Sequence, residues 1–420
     1  MSDSLDPCRD ARPRAMVDPP PRFPCSNKHD RGPARVVLAH DWLVARRGGE
    51  LVLDAIARAV CSLGMPAEIT RLYTMFDTRA PVLDAIDALP RTVSPLNVLH
   101  PGLRRWMLPG YPAAVAWLSR ALAREHARAP IDLLISSSSS AIKSISAPPG
   151  VPHICYCHTP ARYLWSQPDQ YGIGGLKGIA RGVGLGMFRH ALREWDRSTS
   201  DRVSAFLANS SHTRTEIRTA YGRDARVVHP PVRTGFFTPG PDVHRDRSLL
   251  VVSALEPYKR VDLAIDAAAA CGRRLDVIGT GSHEPMLRAH AARTPGADVE
   301  FLGQLDDACV RAAMRRAWAF LMPQVEDFGI TSVEAQACGT PVVSRKAGGA
   351  LDTVIHGRTG ALVEGTSVSV WTEAIRSLDP DAMAVDCREN ALRFSEGRFE
   401  SSIRGVIEPE LRGVRGQELP

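Results

Sequence analysis

Two carboxylates eight positions apart, in the run Glu326-Asp-Phe-Gly-Ile-Thr-Ser-Val-Glu334, are the most informative chemical signal in the chain. Eight positions are a little over two helical turns, so the pair cannot share one helix face. Gly329 supplies a hinge: Glu326 then lies in a loop after a strand, and Glu334 projects from the first turns of the following helix. The result is two anchor points on one ligand, and a carboxylate that accepts two hydroxyl hydrogen bonds suits a vicinal diol. Backbone N–H groups around Gly329 to Thr331 have no intrahelical partner and suit phosphate or sugar oxygens, which makes Phe328, Gly329, Ile330 and Thr331 candidate contacts. The plainer alternative is a helix start carrying acids for its dipole.

Other residues fit a site at the ends of strands. Gly48-Gly49 opens an apolar pattern at helical spacing (Leu51, Leu53, Ile56, Val60), which puts two glycines at a helix N-terminus where backbone can approach an anion closely. A plain tight turn is the alternative. His158, in Tyr156-Cys-His-Thr-Pro160, follows a strand and is left in a loop where Pro160 stops the chain. His40-Asp41 has the look of a metal-phosphohydrolase dyad, but further ligands at suitable spacing are not visible, and no metal is expected. Ser136–Ser140 reads as a polar turn, with sugar hydrogen bonding as the other option. Gly279-Thr-Gly281 lacks the third glycine of a dinucleotide fingerprint, so a simple strand-to-helix turn is enough and no redox cofactor is expected. Cys155 and Cys157 read as buried strand thiols.

These residues must be positioned by parallel strands and helices. Apolar runs Arg35–Ala39, Ile131–Ile135, Ile154–Cys157 and Ala205–Ala208 predict strands, the last followed by a capping-box pattern, Thr213-Arg-Thr-Glu216. After the turn-rich stretch His229–Pro241, a second series begins with strands at Leu249–Ser253, Leu275–Ile278, Val299–Leu302, Ala319–Met322 and Val342–Ser344. Helices are predicted near Val261–Ala270, Asp307–Ala317 and Thr331–Ala337, giving two doubly wound α/β sheets with a cleft between their loops. The predicted division is a disordered Pro/Arg-rich leader over 1–33, an N-terminal domain over 34–235, a C-terminal domain over 236–395, and a tail or helix over 396–420 able to cross back.

Composition agrees with that division. The 420 residues exceed a typical domain of about 150 by two- to threefold, and 44% hydrophobic content supports real cores. The excess of 52 Lys+Arg over 46 Asp+Glu, +6, is too mild for a dedicated nucleic-acid binder. Nine scattered cysteines without C-x-x-C pairs fit a reducing cytoplasm. No apolar run reaches the roughly 18 to 20 residues of a membrane span. One segment, Arg91 to Arg128, carries six Arg against Glu125 alone, with Trp106, Tyr111 and Trp117 interleaved. It reads either as a membrane-surface patch or as a solvated amphipathic helix pair.

At this point the residues carry a resemblance. Glu326 to Glu334 resembles the E-x7-E motif of retaining glycosyltransferases of family 4, which have the two-lobed GT-B fold. The pieces His40-Asp-Trp-Leu43, Arg47-Gly-Gly-Glu50, Tyr156–Pro160, Ala208-Asn-Ser-Ser211, Pro257-Tyr-Lys-Arg260 and Glu326–Gly329 occur in the order of bacterial mannosyltransferases building O-antigen and exopolysaccharide. The resemblance implies a retaining, metal-independent hexose transfer, with mannose from GDP-mannose as donor and a saccharide or lipid-linked acceptor. It implies that Glu334 binds the ribose hydroxyls, Glu326 lies near the transferred sugar, and Lys259 neutralises the departing diphosphate. Gly48 and Gly49 would approach the same diphosphate, and His158, by ring or main-chain carbonyl, would act near the anomeric centre. The family usually has an Arg five residues before that Lys; here Ala254 stands, so Arg260 or the helix N-termini would take over. The alternatives from other classes are a catalytically silent nucleotide-sugar-binding scaffold and a GT-B phosphorylase or epimerase.

Overall fold

The computed structural model describes residues 32–104, 107–166, 175–240 and 244–416. The proposed leader, apart from Gly32 and Pro33, lies outside the described residues, as do Arg105 and Trp106. Seven strands form the first sheet: β1 (Ala34–Leu43), β2 (Ala67–Asp77), β3 (Arg91–Val93), β4 (Leu133–Ser138), β5 (His153–Cys157), β6 (Ala205–Ala208) and β7 (Ala225–Val227). Six form the second: β8 (Leu249–Val252), β9 (Leu275–Ile278), β10 (Val299–Gly303), β11 (Ala319–Met322), β12 (Val342–Arg345) and β13 (Gly360–Val363). The orders are β3-β2-β1-β4-β5-β6-β7 and β10-β9-β8-β11-β12-β13, and every pairing is parallel. In both sheets the order reverses beside the first strand, the place where an open α/β sheet leaves a crevice at its carboxyl edge.

The continuous apolar strands are explained by cover on both faces. Val36 and Leu38 of β1 belong to one core cluster and Val37 and Ala39 to another, on opposite sides of the sheet. Leu249 and Val251 of β8 are likewise separated from Leu250. Among the described residues no helix is long and apolar enough to cross a membrane.

Three local expectations need correction. β4 runs to Ser138, so most of the serine run is strand and not turn; its hydroxyls are satisfied by histidine rings, Ser136 by His153 at 2.7 Å and Ser137 by His158 at 2.8 Å. The helix Ser211–Tyr221 is capped by Ser210, whose hydroxyl accepts from the Thr213 N–H at 3.1 Å, so Thr213 is the third helical residue and not the cap. In the Arg91–Arg128 segment, Arg91 pairs with Asp77 and Asp87, while Arg104 is buried over the Phe76 ring and donates to the carbonyls of Leu99 and Asn97. Tyr111 is buried too, so the inner half of that patch faces protein.

The chain crosses between the sheets twice. Outbound it passes through Val232; inbound it leaves Phe394 for the helix Glu396–Gly416, which buries Phe399, Ile403, Ile407 and Leu411 in the first sheet's core. Those four recur every fourth residue, a single stripe laid on the helix Gly48–Cys61. The two crossings touch: the Val232 N–H donates to the Phe394 carbonyl at 2.9 Å.

Candidate functional site

Between the sheets lies a cleft of about 780 Å³, and its walls come from both. From the first sheet they are the ends of β1 (His40, Asp41), the helix start Gly48–Glu50, the turn after β4 (Ser139, Ser140) and the loop after β5 (His158 to Tyr163). From the second they are the loop Glu326–Thr331 that opens the helix Ile330–Ala337. The two helix starts confront one another: a Cβ on Gly48 would sit 3.1 Å from Ile330 Cδ1, and one on Gly49 would sit 3.5 Å from the His40 ring and 3.8 Å from His158 Nε2. Two sets of unpartnered backbone N–H groups therefore point into one space, a natural seat for a polyanion.

Asp41 organises the first wall. It is 1% exposed, and its carboxylate accepts from the Ser138 hydroxyl and from the backbone N–H groups of Ser139, Ser140, Ala141 and Ile142 at 2.7 to 3.1 Å. It is a structural clamp on the turn after β4 and not half of a metal dyad. His40 Nδ1 lies 2.9 Å from the Ser137 carbonyl, so that nitrogen carries the proton. Burial lowers the pKa of His40 to about 4 and that of His158 to about 3, the latter with help from His40 and Arg162. Both rings are neutral at pH 7. The His158 carbonyl accepts from Asn209 and Thr213, which leaves the ring as the part of this residue that faces the cleft.

In the second wall Gly329 has φ +88°, a left-handed turn that glycine adopts without a Cβ penalty and that swings the chain from β11 into the helix. Glu326 is paired with Lys259 and accepts from Gln324 at 3.0 Å. Burial favours its neutral form, but the Lys259 ammonium and these hydrogen bonds outweigh that and hold it below the usual carboxylate range. The loop is held from behind by Gly348 and Gly349: a Cβ on Gly348 would fall 2.3 Å from the Glu326 carbonyl oxygen, and one on Gly349 would fall 2.3 Å from Phe328 Cα. The Gly349 N–H donates to the Glu326 carbonyl at 2.8 Å.

The structure brings Gly48, Gly49, His158, Glu326, Phe328, Gly329, Ile330 and Thr331 onto one cleft. Phe328 contributes backbone there, since its ring is buried against Phe394 and His229. Lys259 stands one step behind, reaching the cleft through Glu326. Arg260, offered for the place left by Ala254, stands outside the lining with its guanidinium nitrogen Nε 3.2 Å from both oxygens of Asp262. Glu334 is 7% exposed and faces Arg233 at 3.6 Å, while Arg233 gives its shorter bond, 2.6 Å, to Asp307.

Because Arg233 is shared, burial dominates at Glu334 and raises its pKa from 4.5 to about 7, so near neutrality this acid is only partly ionised. A raised carboxyl pKa means that the folded state binds the proton more tightly than the unfolded one, so stability is present at acid pH and declines as pH rises from about 4.5 to 7. Glu334→Gln is therefore expected to match wild type in thermal denaturation at pH 4 and to exceed it at pH 8, by about 3 kcal/mol at most. Equal melting temperatures at both pH values would refute this.

Sequence reasoning missed Arg162, Arg233, Asp307 and the Gly348-Gly349 clamp. A signal existed for the last: two adjacent glycines after an apolar strand have the same form as Gly48-Gly49. Gly279 and Gly281 are also more than a loose turn, since a Cβ on either would lie within 2.2 Å of the Ser253 or Leu255 carbonyl oxygen, in the loop that follows β8 and leads to Lys259.

The arrangement can be compared with known proteins. A family model described as Glycosyltransferase Family 4 matches residues 47–236, and one described as Glycosyl transferases group 1 matches residues 238–394. A GDP-mannose-dependent alpha-(1-6)-phosphatidylinositol monomannoside mannosyltransferase of Mycolicibacterium smegmatis is 34% identical over 214 residues, 44% of this chain and 56% of its own length. A D-inositol 3-phosphate glycosyltransferase 2 of Catenulispora acidiphila is 29% identical over 298 residues, 62% of this chain and 70% of its own length. The chain thus spans from about half to 70% of the curated relatives it matches. Among solved structures, Anabaena HepE in complex with UDP and glucose superposes with TM-score 0.64 at 19% identity, covering 89% of this chain and 99% of that one. Sucrose-phosphate synthase from Thermosynechococcus elongatus gives 0.68 at 16% identity, covering 90% and 99%. The two family matches meet where the chain passes from one sheet to the other, and the solved neighbours share both lobes: the chain belongs to glycosyltransferase family 4 and has the GT-B fold.

Proposed function

We propose that this protein is a retaining, metal-independent glycosyltransferase that moves a hexose, mannose from GDP-mannose, onto a saccharide or lipid-linked acceptor in cell-surface polysaccharide synthesis. The observation that carries the proposal is the confrontation of two glycine-opened helix starts across one cleft, with Glu326 on its second wall and Lys259 bound behind it. In this reading the nucleoside diphosphate sits between the helix N-termini, which stabilise the charge that develops as the bond to the sugar breaks. Lys259 adds a point charge, Glu326 accepts from sugar hydroxyls, Glu334 from the ribose, and the neutral His158 ring faces the sugar. The acceptor attacks the face from which the diphosphate departs. Mannose is supported by the donor named for the Mycolicibacterium smegmatis relative.

A thermal-shift screen of nucleotide sugars tests the donor, because a ligand at 100 times its Kd adds about 2.7 kcal/mol of stability. GDP-mannose is expected to raise the melting temperature more than UDP-glucose or UDP-galactose. A shift with uridine sugars alone would overturn the donor, and a bound donor with no transfer to any acceptor would favour the silent scaffold.

We place the protein in the cytoplasm, peripheral at the inner membrane face. The support is the outer face of the helix Tyr111–Arg128, where Trp117, Arg120, Arg124 and Arg128 are exposed in one stripe, and the exposed Val98 (89%) and Leu103 (52%) of the segment before it. Since Arg104 is buried, the informative variant reverses Arg120, Arg124 and Arg128 to Glu. It should lose co-sedimentation with anionic vesicles, and unchanged partitioning would remove the membrane from the proposal.

A further inference from the structure

We propose that Arg162 is a second cation for the donor diphosphate, supplied across the cleft by the opposite lobe, and that Asp327 is the anion it exchanges for phosphate. This rests on the reading that the cleft takes a nucleoside diphosphate sugar, and it assigns a ligand-contacting role to a residue outside the motifs that carried that reading.

The cations that line the cleft are Arg47, Arg104 and Arg162. Arg104 is spent on carbonyls and on Phe76, and Arg47 is the residue just before the Gly48 helix. Lys259 and Arg260 of the second lobe are bound to Glu326 and Asp262. A leaving diphosphate needs more positive charge than one shared lysine supplies, and Arg162 is the lining cation that lies beside the acidic loop. It follows β5 by a short turn, Thr159-Pro160-Ala161, with Ala161 buried and Thr159 tied to Glu216, so its backbone is fixed. Its guanidinium reaches across to Asp327 through Nη2. A carboxylate on one corner leaves the rest of a five-donor fork to face an oxyanion, and the side chain keeps 29% of its surface open to the cleft. Its charge is felt on both sides of the proposed ligand, by His158 in one wall and by Glu326 and Asp327 in the other.

Asp327 is suited to such an exchange. Burial pushes its pKa up against the pull of Arg162, so an Asp327 that loses this cation is readily protonated. On its far side are His212 and Glu216, whose ligand atoms lie with that of Asp327 within 4.8 Å of one another. When Arg162 turns to phosphate, Asp327 can take up a proton or the His212 N–H. The three have the residue types of a cation site, but Asp327 is bound by Arg162 and Glu216 accepts from Thr159 at 3.1 Å.

The test compares Arg162→Gln, Arg162→Lys and Asp327→Asn in the full chain, by calorimetry with GDP, UDP, guanosine and uridine, and by kcat and KM for transfer. Arg162→Gln should weaken the diphosphate that wild type binds by about 10- to 100-fold and leave the matching nucleoside unchanged, since a hydrogen bond to a charged group is at stake. Arg162→Lys should recover part of the loss, and Asp327→Asn should bind the diphosphate as tightly as wild type or more tightly. Equal losses in Arg162→Gln and Asp327→Asn would show a mere latch between lobes and overturn the proposal, as would unchanged diphosphate affinity in Arg162→Gln. If wild type binds neither GDP nor UDP, the donor reading fails first and this proposal with it.

Discussion

Lys259→Ala is expected to lower kcat for sugar transfer by about 10²- to 10³-fold, the loss that follows removal of one preorganised donor to a developing negative charge. The variant should still fold. Lys259 belongs to a short helical turn, Pro257–Lys259, that contributes no residue to the buried core, so its truncation removes an ion pair and not core packing. Glu326 then loses the cation that offsets its burial, and its pKa should climb above the ordinary range while Gln324 continues to donate to it. The activity loss should therefore deepen toward acid pH, where a neutral Glu326 no longer serves as an acceptor. Steady-state transfer kinetics from pH 5 to 8, with circular dichroism as the folding control, check this. Wild-type turnover by a folded Lys259→Ala protein would end the diphosphate role.

The second large effect comes from a methyl group. Gly349 has φ −67° and ψ −14°, a conformation open to any residue, so the backbone angles do not demand glycine there. Space does. A Cβ would lie 2.3 Å from Phe328 Cα and 2.5 Å from the Asp327 carbonyl, both backbone atoms that cannot rotate aside. Gly349→Ala must push the Glu326–Phe328 loop outward, and overpacking of this kind costs about 1 to 3 kcal/mol. The functional cost should be larger, because displacing a positioned group by about 1 Å can cost 10²-fold in rate. Thermal denaturation and kcat together decide it: a stable, fully active Gly349→Ala protein would mean that the loop is not held from behind. Gly357→Ala is a useful contrast, because there φ is +78° and a Cβ meets nothing within 4 Å, so strain appears without a push on the loop.

What was legible in the sequence followed burial. β6, β9 and β11 begin and end as predicted because each is four residues of almost unbroken apolar sequence with polar or turn residues beyond. β2 was missed because Glu68 and Arg71 interrupt it; Arg71 is satisfied by Glu125 of a helix 54 positions away, a partner no local window contains. The serine run misled for the same reason, since hydroxyls in a buried strand need remote acceptors and donors, here His153, His158 and Asp41. In the site, the acidic motif and the glycines could be read because their roles follow from backbone geometry at helix starts. Arg162 and Arg233 could not, because an arginine in a loop takes its meaning from the carboxylate it reaches, and Asp327 and Glu334 lie 165 and 101 positions further on.

The hydrogen bond between Val232 and Phe394 has a mechanical meaning. Two strings tied at one point form a natural pivot for a swing of one half against the other. Residues beside it would travel little, and the facing helix starts at Gly48 and Ile330 would travel further. A small rotation there is thus geared up into the width of the cleft between the two sheets.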